Sequence, residues 1–138
     1  MTRRLLLDTC ACIWVMENAP LSDETVAAID QAADEGEAVA VSHITAWEMG
    51  TLVSRGRMPV ITSPITWFKA LMAVDGVRPA LLTPDILIAS TALPGDPPRD
   101  PADRIIIATA REQGLTIITR DRLILDYAAA GHVLALAC

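Results

Sequence analysis

Asp8, Glu48, Asp100, Asp103 and Asp121 are the residues on which this chain could run a reaction. Asp8 directly follows Leu5, Leu6 and Leu7, and Asp121 follows Ile117, Ile118, Thr119 and Arg120. Glu48 lies in the helical segment launched after Val41, and Asp103 falls in the first turn of a helix that starts after a Pro-rich loop. If the apolar runs are parallel strands, these acids lie beyond their carboxyl ends, where an open sheet binds ligands. Carboxylates converging on one mouth repel one another and hold protons more tightly unless a cation neutralises them. A hard divalent ion, Mg²⁺ or Mn²⁺, meets that need with oxygen ligands and requires neither His nor Cys. The chain has only two histidines, His43 and His132.

Each acid also has a purely structural reading. Asp100-Pro-Ala-Asp103 is an N-cap followed by Pro at the first helical position and an acid that suits the helix dipole. Thr45-Ala-Trp-Glu48 matches a capping box. Asp121 would cap the segment that starts at Arg122. Asp8, placed after three apolar residues, is either solvated at a strand end or bound to something there. Asp23, Glu24, Asp30, Asp34, Glu35 and Glu37 read as a solvated helix face, and Cys10 and Cys12 as small packing residues. His43 fills a helix start, while Thr9 and Ser42 either cap helices or reach a ligand's water.

The elements that must position these acids are legible from patterning. Residues 5–7, 38–41, 116–119 and 133–136 are short apolar runs without the alternation of a half-exposed strand, so they read as buried parallel strands. Helices between them start at Ser22, Ser63, Thr83 and Asp100, the last three each followed by Pro. Gly114 ends the helix begun at Pro101, and Gly131 plays the same part before Val133. Residues 93–100, Leu-Pro-Gly-Asp-Pro-Pro-Arg-Asp, form a loop too short for a domain linker. The alternation means an α/β fold in a single domain, residues 1–138.

Composition narrows the function classes. With 138 residues, 52% of them hydrophobic, the chain can bury an ordinary core without disulfides or a structural metal. Three cysteines are an odd number, and Cys10-x-Cys12 is too close for an ordinary disulfide, which points to a reducing, cytoplasmic setting. Neither a membrane span nor a signal peptide is expected. A formal charge of −6 argues against a surface that binds nucleic acid everywhere, so any such contact must be local.

Leu-Leu-Leu-Asp8-Thr-Cys-Ala, Ser42-His-Ile-Thr-Ala-Trp-Glu48-Met-Gly, Asp100-Pro-Ala-Asp103-Arg-Ile-Ile-Ile-Ala-Thr-Ala and Thr119-Arg-Asp121 together resemble the PIN-domain ribonucleases. More narrowly, the chain looks like a VapC-type toxin of a toxin–antitoxin pair. The similarity spans nearly the whole chain; each motif alone is weak, and their conjunction is specific. It implies a three-layer α/β/α sandwich around a mostly parallel sheet. The family's catalytic, metal-holding quartet falls on Asp8, Glu48, Asp103 and Asp121. Asp100 matches a further acid of the subgroup that carries Asp-Pro-x-Asp-Arg. Ala102 stands where an aromatic is common, a change that concerns packing rather than the carboxylates.

The resemblance implies hydrolysis of RNA phosphodiesters by water, assisted by Mg²⁺ or Mn²⁺ and leaving 5′-phosphate and 3′-hydroxyl ends. Asp8 and Asp103 are the expected principal ligands, with Glu48 and Asp121 completing the site directly or through water. Arg55, Arg57, Arg104 and Arg120, with Arg122, are candidates for RNA phosphates, and Arg104 is equally a structural partner of its surroundings. A VapC-type toxin is a homodimer neutralised by a cognate VapB-type antitoxin. Trp14, Val15, Met16 and Trp47 are candidate contacts for it, against the plainer alternative that they face the core. A phosphoryl-accepting receiver domain would need a lysine near its acids, but Lys69 lies within a helical segment. A haloacid-dehalogenase-type phosphatase would need Asp in place of Cys10. A PIN fold that has lost catalysis is the remaining rival, disfavoured by the presence of all four acids.

Overall fold

The computed structural model describes residues 3–58 and 63–138. Five strands, β1 (Leu5–Leu7), β2 (Val39–Ser42), β3 (Val77–Ala80), β4 (Thr116–Thr119) and β5 (Leu134–Ala137), form one sheet. Every pairing is parallel, in the order β3-β2-β1-β4-β5. Seven helices connect them: α1 (Thr9–Met16), α2 (Asp23–Asp34), α3 (Ile44–Ser54), α4 (Pro64–Met72), α5 (Pro84–Ser90), α6 (Pro101–Gln113) and α7 (Arg122–Ala129). Strand residues alternate between faces, so each apolar run feeds two cores. Leu5, Leu7, Val39, Val41 and Ile118 pack with Ala28 and Ala32 of α2 and with Phe68 and Leu71 of α4. Leu6, Ala40 and Ile117 pack on the other face with Ile106 and Ile107 of α6 and Ile124 of α7. Double burial is why β1, β2 and β4 lack two-residue alternation, and it makes the expected three-layer sandwich. The expectation of a buried strand fails at β5, which lies at the sheet edge and leaves Leu134 64% exposed.

The polar punctuation works as read. Side chains of Ser22, Ser63, Thr83 and Asp100 each accept a backbone N–H at the start of their helices. Gly114 closes α6 in the left-handed conformation at φ 67°, where a Cβ would be strained. The acids on α2 and just after it are exposed, and Glu24 pairs with Arg3 at 3.7 Å. The capping box at Thr45 does not form, because the N-cap is His43, two residues earlier, and the Thr45 hydroxyl meets Thr9 instead. His43 occupies the helix start without a side-chain cap bond, and Ser42 before it accepts from the Ile44 N–H at 3.1 Å. Strand β3 has no counterpart in the sequence reading: Val-Arg-Pro-Ala is not an apolar run, and Pro79 is tolerated because β3 lies at the sheet edge.

Strand order decides where a ligand would sit. From β1 the chain steps outward through β2 to β3, then returns to lay β4 on the opposite side of β1. The crossovers on either side of the β1/β4 boundary therefore diverge, opening a crevice beyond the carboxyl ends of these two strands. Asp8 follows β1 and Asp121 follows β4 by two residues, so both belong to that crevice.

Candidate active site

Three of the five acids are helix N-caps. Asp8 caps α1 through Oδ1, accepting from the Ala11 N–H at 2.8 Å. Asp100 caps α6 through Oδ2, accepting from the Asp103 N–H at 3.2 Å. Asp121 caps α7 through Oδ1, accepting from the Ile124 N–H at 3.1 Å. At Asp100 and Asp121 the structural and functional readings are compatible, because capping uses one carboxyl oxygen of each and leaves the other for a ligand. Three helix N-termini also bring partial positive charge to the acids and offset part of their repulsion.

A threonine positions each of two acids. Thr119, fully buried at the end of β4, donates its hydroxyl to Asp8 Oδ2 and accepts the Asp121 N–H at 2.9 Å. The Thr9 hydroxyl donates to Glu48 Oε1 at 2.5 Å, so the buried Thr45 hydroxyl, 3.1 Å away, must donate to Thr9. Thr9 thus orients a carboxylate rather than capping. Thr119 carried no functional reading in the sequence; its one signal was a hydroxyl at a strand's carboxyl end, next to an acid.

Glu48, Asp100 and Asp103 form the closest group, with one carboxyl oxygen from each lying within 4.8 Å of the others. Asp100, read from sequence as an addition to the quartet, is therefore a member of this trio although it is exposed, whereas Asp8 and Asp121 are not in it. All five remain coupled through space. Burial, then the charges of Asp100, Asp121, Glu48 and Asp8, push the Asp103 carboxyl up to about 7. Burial also raises Glu48, against the hydrogen bond from Thr9, and Asp100 adds to the rise. Burial raises Asp8 as well, opposed by its bonds from Thr119 and Ala11. An all-carboxylate group crowded enough to hold protons near neutral pH has the donor chemistry of a hard divalent cation site.

The neighbours sort less as the sequence suggested. Cys12 is buried in the core, whereas Cys10 reaches the surface; partial burial of its thiol, with the nearby acids, pushes it up to about 11, so it is no thiolate nucleophile. Arg104, a candidate for RNA phosphate, donates Nε to the Pro98 carbonyl at 2.7 Å and Nη1 to the Ser90 carbonyl at 3.4 Å. Arg120, another, stacks 4.0 Å from the Trp14 ring centroid and donates to the Pro20 carbonyl at 2.9 Å. Both guanidiniums serve the fold, whereas Arg55 and Arg57 are exposed after α3. Trp14, Val15 and Met16 are half-buried against the core, as in the plainer reading of them; Trp47 is 60% exposed.

The sequence profile of the PIN domain matches residues 5–130, from the start of β1 into the residues after α7. The chain belongs to the PIN-domain family. The protein named Ribonuclease VapC22 from Mycobacterium tuberculosis is 34% identical over 122 residues, 88% of this chain and 89% of that one. Among solved structures, this PIN domain has the fold seen in VapBC2 of Rickettsia felis bound to a promoter DNA fragment. The TM-score there is 0.68 at 13% identity, over 96% of this chain and 97% of that one. DNA-bound VapBC from Salmonella typhimurium gives a TM-score of 0.66 at 16% identity, over 98% of both chains. FitAcB of Neisseria gonorrhoeae gives 0.60 at 21% identity, over 96% of both. Among the described residues of this PIN domain no helix is long and apolar enough to cross a membrane.

Proposed function

We propose that this PIN domain is a divalent-cation-dependent endoribonuclease and the toxin member of a toxin–antitoxin pair. The grouping of Glu48, Asp100 and Asp103 oxygens within 4.8 Å, in a chain 34% identical to a protein named a ribonuclease, carries the reading. Three carboxylates without a His or Cys in the group fit Mg²⁺ or Mn²⁺. Asp103, Glu48 and Asp100 would hold the ion, with Asp8 and Asp121 completing the site directly or through water. A bound divalent cation supplies Lewis acidity toward a phosphodiester and an attacking water.

The protein's own groups set the geometry. Thr9 fixes the rotamer of Glu48, and Thr119 fixes Asp8 while tying down the start of the segment that carries Asp121. Arg55 and Arg57, exposed after α3, are the proposed contacts for backbone phosphates. A VapB-type antitoxin is the proposed partner, with Trp47 as its exposed apolar contact. A homodimer would cover Leu81, Leu87 and Ile88, which are 57%, 40% and 69% exposed.

The test is cleavage of a mixed RNA pool by the purified chain with Mg²⁺, with Mn²⁺ and with chelator, followed by sequencing of the ends. Cation-dependent cuts bearing 5′-phosphate and 3′-hydroxyl ends are expected. They should vanish with Asp103→Asn and Asp8→Asn, and induced expression of the wild type alone should arrest growth. Absence of any cation-dependent cut, with growth identical in wild type and variants, overturns the reading.

A further inference from the structure

Beside the acidic trio lies a second feature that the reaction chemistry does not use. A cavity of about 580 Å³ opens between the loop before α6 and the outer side of α7. Asp100 lines it and also belongs to the trio, so the cavity borders the site proposed to cut RNA. Its walls include Pro97, Pro98 and Leu123, and Leu123 is 58% exposed. Asp96, Arg99 and Asp126 supply its polar groups. The volume lies within the roughly 300–1,000 Å³ typical of small-ligand sites.

The loop that forms one wall is held from three directions. Tyr127 donates its hydroxyl to the Pro94 carbonyl at 2.5 Å, and Arg104 donates to the Pro98 carbonyl at 2.7 Å. Gly95, at φ 70°, packs so closely on His132 that an added Cβ would sit 2.4 Å from Nε2. The cavity is thus formed before any ligand arrives, which lowers the entropic cost of binding.

Its charge pattern selects the occupant. Asp96, Asp100 and Asp126 outnumber Arg99, so a phosphate group is repelled. A flat, neutral ring with hydrogen-bond donors on its edge is favoured: apolar walls take the face, and carboxylates take the N–H groups. Resting on the ribonuclease reading, we infer that this cavity is a nucleobase subsite for a nucleotide next to the scissile phosphate, selecting an amino-bearing base and guanine above all. Guanine presents adjacent ring and amino N–H groups to one carboxylate, while uracil presents a single N–H between two carbonyls.

The experiment compares cut-site sequences from a randomised single-stranded RNA pool for the wild type, Leu123→Ala and the double variant Asp96→Asn/Asp126→Asn. All three side chains are exposed, so these variants retain the fold. The wild type should favour guanine over uracil at one position flanking the cut by at least ~5-fold, and the variants should bring that ratio to within ~2-fold. A wild-type profile that the variants leave unchanged overturns the subsite. A second readout is independent of cleavage: ¹H–¹⁵N NMR titration of the wild type with guanosine and uridine 5′-monophosphates. Shifts around Leu123 and Tyr127 with the guanosine nucleotide alone support the subsite even if no RNA is cut, in which case the ribonuclease reading fails by itself. Shifts that are absent there, or equal for both nucleotides, overturn the subsite whether or not RNA is cut.

Discussion

Asp8 and Asp103 share one mouth but meet their charge in opposite ways. Asp8 is 4% exposed, yet both its oxygens receive donors, one from the Ala11 N–H and one from the Thr119 hydroxyl. Asp103 is half-buried and close to Asp100 and Glu48, and its carboxyl is pushed up to about 7. At Asp8 the protein's own dipoles offset part of the cost of burial, which still leaves the carboxyl raised; at Asp103 the protein concentrates negative charge and leaves it for a cation to answer. A buried acid is therefore not the most strained one here. The difference lies in donors supplied against charges added.

Replacing either acid breaks the comparison most directly. Asp103→Asn and Asp8→Asn should each lower cation-dependent RNA cleavage by more than ~100-fold, since even outer partners of a metal site cost 10–100-fold. Their stabilities should diverge: without cation at pH 8, Asp103→Asn relieves repulsion and raises the melting temperature, whereas Asp8→Asn gives no such gain. Equal melting shifts would show that the two acids are not differently served.

Thr119→Val comes next in size. It removes the donor to Asp8 and the acceptor for the Asp121 N–H, at ~1–3 kcal/mol of unfolding free energy measured in urea. Activity should fall ~10–100-fold as the acid loses its orientation.

A pH series sharpens the contrast further. Asp103 has a folded-state pKa of about 7 against 3.8 for the free side chain. Its contribution to stability is present in full below the lower value and is lost as pH rises through the upper one. Glu48 and Asp8, also raised, act in the same sense. The cation-free protein should melt lower at pH 8 than at pH 5, and added Mg²⁺ should recover most of the difference; a flat profile would contradict this. The smallest effect is the control: Arg3→Ala removes an exposed ion pair remote from the mouth and should cost under ~0.5 kcal/mol with cleavage unchanged.

Much of this architecture is legible in one dimension. Strands β1, β2 and β4 are apolar runs within a residue or so of where they were expected, because a strand covered on both faces must be apolar throughout; β5 is an apolar run at the other edge, also within a residue of its expected place, although Leu134 is 64% exposed. Strand β3 escapes that logic, since an edge strand tolerates Arg78 and Pro79. Asp100 illustrates the limit at the site. Its capping role spans three residues and can be read locally, but its closeness to Glu48 depends on α3 and α6 meeting across the fold.

The order of residues by itself determined the acids, the caps beside them, the doubly covered strands and the family, because each is set by residue type and short spacing. Packing alone decided which carboxyl oxygens fall within a cation's reach and which threonine holds Asp8, 111 positions away. It also decided that Arg104 and Arg120 serve carbonyls rather than the mouth. Those outcomes depend on distances of a few ångströms between segments far apart in the chain, and no local rule of spacing contains them.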